Sequence, residues 1–359
     1  MFRPRLQSTG WFLKPAKSAP YNGNAFSVVA RPFVARALNL LIYMLYFKAA
    51  SSFYKELGYL PNVALPDTYN EKMFWRRVFD HDPRFVAYCD KIETKKLFLA
   101  HAPAIDVAQT LWSGSDPAEM PPSLMGADTV VKSSSGSRAN WFFSERPADR
   151  EAFLATCRKW RSRPYGVKHG EWAYTKTRRM LLAERTVISD RTKLEDLKVH
   201  LFGGEVFYTL IYLGEKMPGC RSAIFDEHGK RLTVTNSVVA KNPAKAAAAS
   251  YRVPDCYPVA MDIARKLARD SDYLRVDFMV ADGKLYGGEI TVYPTAGLMT
   301  NSEPDVLRKM GEAWDLRRSW FLSTDHTGWR ALYKRFLKRE TEAKAPLSAR
   351  HETVVSYIS

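Results

Sequence analysis

The sequence predicts an α+β protein of two or three structural units, built from amphipathic helices and antiparallel strand pairs. Its 359 residues are 46% hydrophobic, which is enough to bury a sizeable core. Two pairs of apolar strands are joined by hairpin turn signals, Gly203 with Gly204 and Asp282 with Gly283. Helical spacing of apolar residues recurs in the N-terminal third and over residues 257–271.

The N-terminal segment is basic and apolar. Residues 1–25 predict an irregular arm, and residues 26–58 predict a helix that ends near Gly58. The apolar run "ALNLLIYMLYF" would reach about 16 Å, half of a bilayer, so we expect no membrane span, nor a signal peptide this far from the N-terminus. Two interpretations stay open: this helix packs its apolar side on the main domain, or residues 26–50 lie in the interface of an anionic membrane. The first 55 residues contain no Asp or Glu and eight basic residues: Arg3, Arg5, Lys14, Lys17, Arg31, Arg36, Lys48 and Lys55.

The remaining elements follow from spacing and turn residues. A helix begins after Pro66, breaks at Asp82 and resumes as far as Leu99, and residues 106–126 predict a connector rich in Pro, Gly and Ser. Beyond it we predict a strand and small-residue loop (128–137), a helix (150–163) and a buried strand (178–187). We divide the chain into an N-terminal arm and helix (1–60), a helical segment (61–128), a main domain (129–325) and a C-terminal helix and tail (326–359).

Charge and motifs narrow the function. The formal net charge of +16 predicts an acidic partner: nucleic acid, an anionic membrane, a nucleotide or an acidic sugar. The four cysteines are more than thirty residues apart and form no CxxC pair, so we expect neither zinc nor disulfides, and a cytoplasmic location. The absence of Walker, GxGxxG, GxSxG and HExxH motifs argues against P-loop, Rossmann, serine-hydrolase and zinc-protease chemistry.

The stretch "YLRVDFMVADGKLYGGEITVYPTAG" carries an unusual pair of carboxylates. Because side chains alternate along a strand, Arg275 and Asp277 share one face of their strand, and Glu289 and Thr291 share one face of theirs. If the two strands pair as a hairpin, all four side chains can lie on the same surface. A carboxylate in so apolar a strand is costly to bury unless it is paired or bound to a cation. Either an Arg275 and Asp277 structural ion pair or a Mg²⁺ site explains it.

A second motif is "VVKSSSGSR". Lys132 closes a strand, and the backbone amides and hydroxyls of the loop that follows could cover phosphate oxygens. Taken alone, the motif is also compatible with an ordinary surface turn.

The two motifs belong to a longer series of segments, which follow one another in the order "DKIETKKLF", "VVKSSSGS", "LLAERTV", "DLKVHLFGGE", "RVDFMV" and "GGEITVYPTAG". In this order the sequence resembles ATP-grasp proteins, most closely the TupA-like family linked to bacterial cell-surface polysaccharide synthesis, from about Leu65 to Gly297. The resemblance implies two α+β subdomains that clamp ATP with Mg²⁺, with a hinge near residues 184–196.

The resemblance also implies roles for individual residues. Glu184 would lie near adenine or ribose, Arg275 and Lys198 would serve the transferred phosphoryl group, and Asp277, Glu289 and the weaker Thr291 would bind the metal. The phosphate contacts would be Lys95, Lys132, Lys198 and the loop residues Ser133, Ser134, Ser135, Gly136 and Ser137.

The sequence departs from the family pattern at three positions. The family usually has a His where Ser135 stands and a Gly where Arg138 stands, and the wider superfamily usually has Asn where Thr291 stands.

The function implied is an ATP- and Mg²⁺-dependent ligase that activates a carboxylate as an acyl phosphate for an amine, with an acidic small molecule or polysaccharide as substrate. A kinase using the same residues and a non-catalytic nucleotide- or nucleic-acid-binding protein stay open. Nucleic acid is the less favoured partner, because no strand pair interleaves aromatic and basic residues. His81 and Arg221 are further candidates to line the substrate site. We expect a cytoplasmic protein, with peripheral contact at the inner face of the plasma membrane as an option.

Overall fold

The computed structural model describes residues 25–146, 149–188, 190–300 and 304–343. The predicted arm up to residue 24 and the tail after residue 343 lie outside the described residues. The helices are α1 (Ala25–Leu45), α2 (Phe47–Leu57), α3 (Tyr69–Phe79), α4 (Arg84–Tyr88), α5 (Lys91–His101), α6 (Arg150–Ser162), α7 (Trp172–Lys176), α8 (Ser237–Lys241), α9 (Tyr257–Ala268), α10 (Pro304–Ala313), α11 (Trp320–Ser323) and α12 (Gly328–Ala343). The strands are β1 (Asp106–Val107), β2 (Thr110–Gly114), β3 (Thr129–Ser133), β4 (Asn140–Phe142), β5 (Leu181–Arg185), β6 (Glu195–Phe202), β7 (Glu205–Leu213), β8 (Arg221–Phe225), β9 (Tyr273–Ala281) and β10 (Lys284–Thr291).

The predicted helix over residues 26–58 is two helices, α1 and α2, bent by 103° at Tyr46. Ile42 before the bend and Phe53 after it both enter the core, so the bend lets both helices bury a face. α2 ends as predicted, with Gly58 in the left-handed conformation (φ 81°). No single helix in the described ranges is long and apolar enough to cross a membrane, and only this bent pair, taken together, meets that test.

Capping residues determine where the helices near the site begin. Thr68 Oγ1 accepts the Glu71 amide at the start of α3, and the Glu71 carboxylate accepts the Thr68 amide in return. The second predicted helix is interrupted, because Asp90 caps α5 by accepting the amide of Ile92. α5 then packs against β10.

A six-stranded sheet forms the larger half, in the order β1-β10-β9-β6-β7-β8. All neighbours are antiparallel except β1 and β10, which are parallel. Both predicted hairpins are present, and their turn residues Gly203, Gly204, Asp282 and Gly283 all have positive φ, the pattern of a two-residue type I′ turn. α9 packs against β6, β7 and β9.

A four-stranded antiparallel sheet, in the order β2-β5-β3-β4, forms the smaller half. Residues 106–126 are therefore more than the predicted connector, because β1 joins the large sheet and β2 is an edge strand of the small one. α6 covers the small sheet, and Phe153 packs with Trp141 and Leu181 in a separate small core. Residues 186–194 lead from β5 of the small sheet to β6 of the large one, within the range predicted for the hinge.

Candidate functional site

One face of the six-stranded sheet carries the predicted metal and phosphate residues. In the β9 and β10 pairing, Asp277 lies opposite Glu289 and Arg275 opposite Thr291. On the other side of β9, Lys198 of β6 lies opposite Asp277. Cross-strand partners share a face, so the five side chains converge on one surface, as hairpin pairing predicts for four of them. Their roles in binding stay predictions.

Arg275 holds Asp277 in a two-point ion pair. Its Nε and Nη2 donate to the two carboxylate oxygens at 2.7 and 2.6 Å, and Nη2 also donates to Thr291 Oγ1 at 3.1 Å. Lys198 Nζ lies 3.8 Å from the same carboxylate and 3.3 Å from Glu215. Burial opposes protonation of Lys198, but Asp277 and Glu215 outweigh it and raise the pKa of this ammonium. The structural ion pair is thus present, on the surface that a metal site would also use.

Glu289 follows a bulge in β10. The register with β9 shifts at Gly288, where a Cβ would lie 2.7 Å from the Asp277 carbonyl oxygen, so glycine is required. The Glu289 side chain is 47% exposed and pairs with Lys91 at 3.2 Å. Enclosure by the surrounding protein opposes its ionisation, yet Lys91, Lys132 and Lys198 lower its pKa to about 2. At neutral pH this carboxylate is ionised and accessible.

Glu184 of the four-stranded sheet is the centre of an ion-pair cluster with Lys132 of β3 and Lys95 of α5. Lys95 and Lys132 each pair with one of its carboxylate oxygens, Lys132 at 2.6 Å. Lys95 Nζ also donates to the Ala108 carbonyl oxygen at 2.6 Å and to Thr110 Oγ1 at 2.9 Å. Burial opposes ionisation of Glu184, but the two lysines outweigh it and lower the pKa of the carboxyl. Glu184 therefore positions both predicted phosphate lysines.

The first part of the predicted phosphate loop is buried. Ser134 donates its amide to the Met180 carbonyl at 2.8 Å and its hydroxyl to the Arg178 carbonyl at 2.9 Å. Ser133, Ser134 and Ser135 are buried outside the lining of the cleft between the sheets, and the hydrogen bonds of Ser133 and Ser134 tie β3 to neighbouring segments.

The second part of the loop faces the cleft. Gly136 and Ser137 line it, together with Arg138. Gly136 has φ 90°, and a Cβ there would lie 2.6 Å from the Tyr165 ring. Both the backbone conformation and the close approach of the ring therefore require glycine. Arg138 has φ 66°, a conformation that favours glycine, at the position where the family pattern has one.

A cleft of about 700 Å³ lies between the two sheets, and both contribute to its walls. Its volume is in the usual range for a small-molecule site. Apolar side chains that suit a nucleotide base include Val130, Ile188, Leu194 and Met279. Cationic side chains that suit phosphates include Lys91, Lys95, Lys132, Lys198 and Arg275. The residues present therefore fit ATP.

The acidic groups fit Mg²⁺ as well. Asp277 and Glu289 supply two hard carboxylates on one face, and Mg²⁺ is usually bound by one or two carboxylates together with substrate phosphates. Among the residues that the structure describes, no group of three or more His, Cys, Asp or Glu side chains could hold a metal alone. A metal here would share its coordination with phosphate oxygens and would compete with Arg275, which donates to both Asp277 oxygens and to Thr291 Oγ1.

Two of the charged cleft groups that sequence reasoning missed lie close in sequence to predicted phosphate residues. Lys91 lies four residues before Lys95 and thus on the same face of α5, which is the signal that could have found it. Its Nζ contacts Glu289 and donates to the Gly136 carbonyl at 2.7 Å. Asp196 lies two residues before Lys198 on β6, and burial raises the pKa of its carboxyl to about 6.

A third missed group is Glu171, a buried carboxyl in the cleft wall just before α7. Burial raises its pKa to about 7, against the opposing effect of Arg77. Nearby, the rings of Tyr165 and Tyr174 meet edge to face at 4.9 Å.

The two further substrate candidates lie elsewhere. His81 stacks on Trp172 at 4.7 Å, and Arg221 is exposed at the start of β8. Neither is among the described residues that line the cleft.

Three solved structures are similar to this chain at low sequence identity. D-alanine–D-alanine ligase from Bacillus anthracis, complexed with ATP, is 16% identical, over 71% of this chain and 67% of that one, with a TM-score of 0.33. The ATP-grasp ligase PsnB with its minimal precursor is 12% identical, over 73% and 63%, with a TM-score of 0.32. Macrocyclase MdnC from Microcystis aeruginosa MRC, bound with precursor peptide MdnA, is 10% identical, over 63% and 60%, with a TM-score of 0.34.

No curated protein matches the chain. The TupA-like ATP-grasp family matches residues 128–314, just over half of the chain and all of β3 to β10. The resemblance and the ATP-grasp fold expected from the sequence are thereby confirmed, and the chain belongs to the TupA-like ATP-grasp family.

Proposed function

We propose that this chain is an ATP- and Mg²⁺-dependent ligase that joins a carboxylate to an amine. The observation that carries the proposal is the cleft surface on which Asp277, Glu289, Arg275 and Lys198 converge, together with Lys132 from β3 of the other sheet and Lys95 from helix α5. An accessible carboxylate, Glu289, beside the ion-paired Asp277 and several cations suits a nucleotide polyphosphate better than an uncharged ligand.

The chain's own residues bind, orient and neutralise charge. Mg²⁺, when held by Asp277 and Glu289, would neutralise developing charge on the terminal phosphates. Lys132 of the small sheet and Lys95 of α5, both kept in place by Glu184, would hold the phosphate tail. Arg275 and Lys198 would stabilise charge on the transferred phosphoryl group from the large sheet.

The reaction needs no protein nucleophile. A substrate carboxylate oxygen forms a bond to the γ-phosphorus while the bond to the β-phosphate oxygen breaks, which releases ADP. An amine then attacks the acyl carbon, phosphate leaves, and the amine gives up a proton. Phosphoryl transfer of this kind is catalysed mainly by positioning and electrostatic stabilisation.

An acidic substrate, from cell-surface polysaccharide synthesis, suits the charge of the cleft mouth. A smaller depression adjoins the cleft, shares Arg138, Arg191 and Lys216 with it, and adds Arg146. Arg191 lies over the Phe142 ring at 4.0 Å and Arg146 over the Trp141 ring at 4.6 Å, so aromatic contacts hold two of these guanidinium groups. Such a site favours a carboxylated or phosphorylated sugar over a neutral one. A cytoplasmic location accompanies this proposal, since ATP is supplied there.

The deciding experiment is an ATP turnover assay with Mg²⁺ across acidic sugars and amino acids, separating ADP and phosphate from AMP and pyrophosphate. Substrate-stimulated ADP release, with hydroxylamine trapping an acyl phosphate, supports the ligase. A stable phosphorylated product would instead identify a kinase. ATP binding without turnover on any substrate would favour the non-catalytic alternative.

A further inference from the structure

Helix α1 is attached to the protein by one face. Ile42 is buried in the core, and the Asn39 side chain donates to Asn62 Oδ1 at 3.0 Å and accepts the Ala64 amide at 2.8 Å. Tyr43 donates its hydroxyl to the Pro61 carbonyl at 2.7 Å. Polar side chains therefore point inward, and the helix has a fixed orientation on the domain.

The opposite face of α1 is apolar and exposed. Phe33, Leu40 and Met44 are spaced by seven and four residues, so they lie on one side of the helix, with exposed fractions of 65%, 60% and 63%. Leu45 and Phe47 continue the exposed surface to the bend, at 63% and 69%. A contiguous exposed apolar patch of this kind marks an interaction site in most proteins.

The surrounding charges indicate what covers this patch. Arg36, Lys48 and Lys55 are exposed on α1 and α2, and the first 55 residues contain no acidic residue. A second copy of the chain would bring the same positive charge to the interface and be repelled. An apolar face bordered by Arg and Lys fits acyl chains below anionic headgroups.

A membrane span does not fit the same observations. The inner face of α1 is bonded to residues 61–64 and packed in the core, so the helix cannot be surrounded by lipid without leaving the domain. Contact in the plane of the interface uses only the face that is already exposed.

We propose that the α1–α2 surface, defined by Phe33, Leu40, Met44, Leu45 and Phe47, binds the interface of an anionic membrane. This surface lies outside the described cleft lining, so membrane binding and ATP chemistry are separable. The inference holds whether or not the ligase proposal does.

The test is co-sedimentation of the full chain with vesicles of phosphatidylcholine, alone or mixed with phosphatidylglycerol. We expect binding to the anionic vesicles, and a roughly tenfold or greater loss for the double variant Leu40→Gln with Met44→Gln, because two apolar side chains leave the acyl region. Leu332→Gln on α12 is the matched control, since Leu332 is also 60% exposed, and it should bind like the unaltered chain.

The charge contribution is tested separately. Arg36→Gln with Lys48→Gln should weaken binding to anionic vesicles by roughly tenfold and leave the weak binding to neutral vesicles unchanged. Unaltered melting curves would show that these exposed substitutions leave the fold intact. The proposal is overturned if the full chain ignores anionic vesicles, if the Leu40 and Met44 variant binds equally well, or if that variant instead abolishes a dimer seen by analytical ultracentrifugation.

Discussion

Glu184 and Glu289 are strand glutamates that face the same cleft from opposite sheets. Glu184 lies in the small sheet, with its side chain 4% exposed and one lysine on each carboxylate oxygen. Glu289 lies in the large sheet, 47% exposed, and pairs with Lys91. The first carboxylate is already used by the protein, whereas the second can accept a cation from outside.

Glu184 is suited to position two lysines, whereas Glu289 is suited to bind a ligand. A buried carboxylate between two ammonium groups stabilises their placement, and its removal would leave two cations without their anion. An accessible carboxylate with a depressed pKa stays ionised and available, which a metal ligand requires. Substitution of either glutamate should therefore have different consequences for turnover and for stability.

Glu289→Gln and Asp277→Asn should each reduce Mg²⁺-dependent ATP turnover by at least about a thousandfold, because each removes a charge that would hold the metal at the phosphates. Steady-state ADP release measures the effect. Glu205→Gln, an exposed glutamate on β7 outside the cleft, is the control and should keep full turnover. Full turnover by the two cleft variants would remove these carboxylates from the metal site.

Glu184→Gln should lower the free energy of unfolding by about 2–4 kcal/mol, because Lys95 and Lys132 lose their shared counter-charge in a largely buried setting. Glu289→Gln should change it by less than about 1 kcal/mol, since the Glu289 pair is half exposed. Urea unfolding of the two variants measures the contrast. Equal losses of stability would mean that the two carboxylates do not differ as described.

The pH dependence of stability should separate Glu171 from Glu289. The folded pKa of Glu171 is about 7 against an ordinary 4.5, so the folded chain keeps a proton that the unfolded chain releases in this window. Stability should therefore fall as pH rises from 4.5 to 7, by about 3 kcal/mol from this group, and Glu171→Gln should remove that fall.

Glu289 should change the stability with pH in the opposite direction. Its folded pKa of about 2 lies below the ordinary 4.5, so its contribution is present above pH 4.5 and lost as pH falls towards 2. Unfolding midpoints measured across the two windows test both groups. A Glu171→Gln variant that keeps the full slope between pH 4.5 and 7 would contradict the assignment.

Arg138→Gly should give the smallest effect. Replacing a residue held at φ 66° by glycine should relieve about 1 kcal/mol of backbone strain, while the loss of the guanidinium should raise the KM for an acidic substrate several-fold. The KM for ATP should stay within twofold. Melting curves measure the change in stability, and kinetics on an acidic and a neutral substrate measure the change in KM. An unchanged KM for the acidic substrate would exclude Arg138 from the substrate site.

Local signals predicted the hairpin elements well. The β6 and β7 pair and the β9 and β10 pair were found from apolar runs and two-residue turns, because a hairpin requires only neighbouring residues to specify it. β2 was missed because "TLWSG" is short, lies at a sheet edge and pairs with β5, whose partner residues are distant in sequence. The bend at Tyr46 was missed for a similar reason, since no Gly or Pro marks it.

The candidate site also contains some residues that the sequence predicts and others that it does not. Asp277, Glu289, Lys132 and Lys198 were identified from motif order and strand alternation. Lys91 was not, because its contact with Glu289 joins the start of a helix to a strand almost two hundred residues later. The buried serines of the loop were assigned to phosphate because hydroxyl-rich loops look alike in sequence whether their groups face a cleft or a neighbouring strand.

Residue order and short-range spacing are enough to specify the family, the hairpins, the apolar N-terminal run and the set of charged residues. Which lysine meets which carboxylate, which loop residues face the cleft and which side of α1 is exposed follow from the tertiary fold. These depend on sheet order and on the packing of distant segments, and a charged group is stabilised by whichever partners that packing brings within a few ångströms.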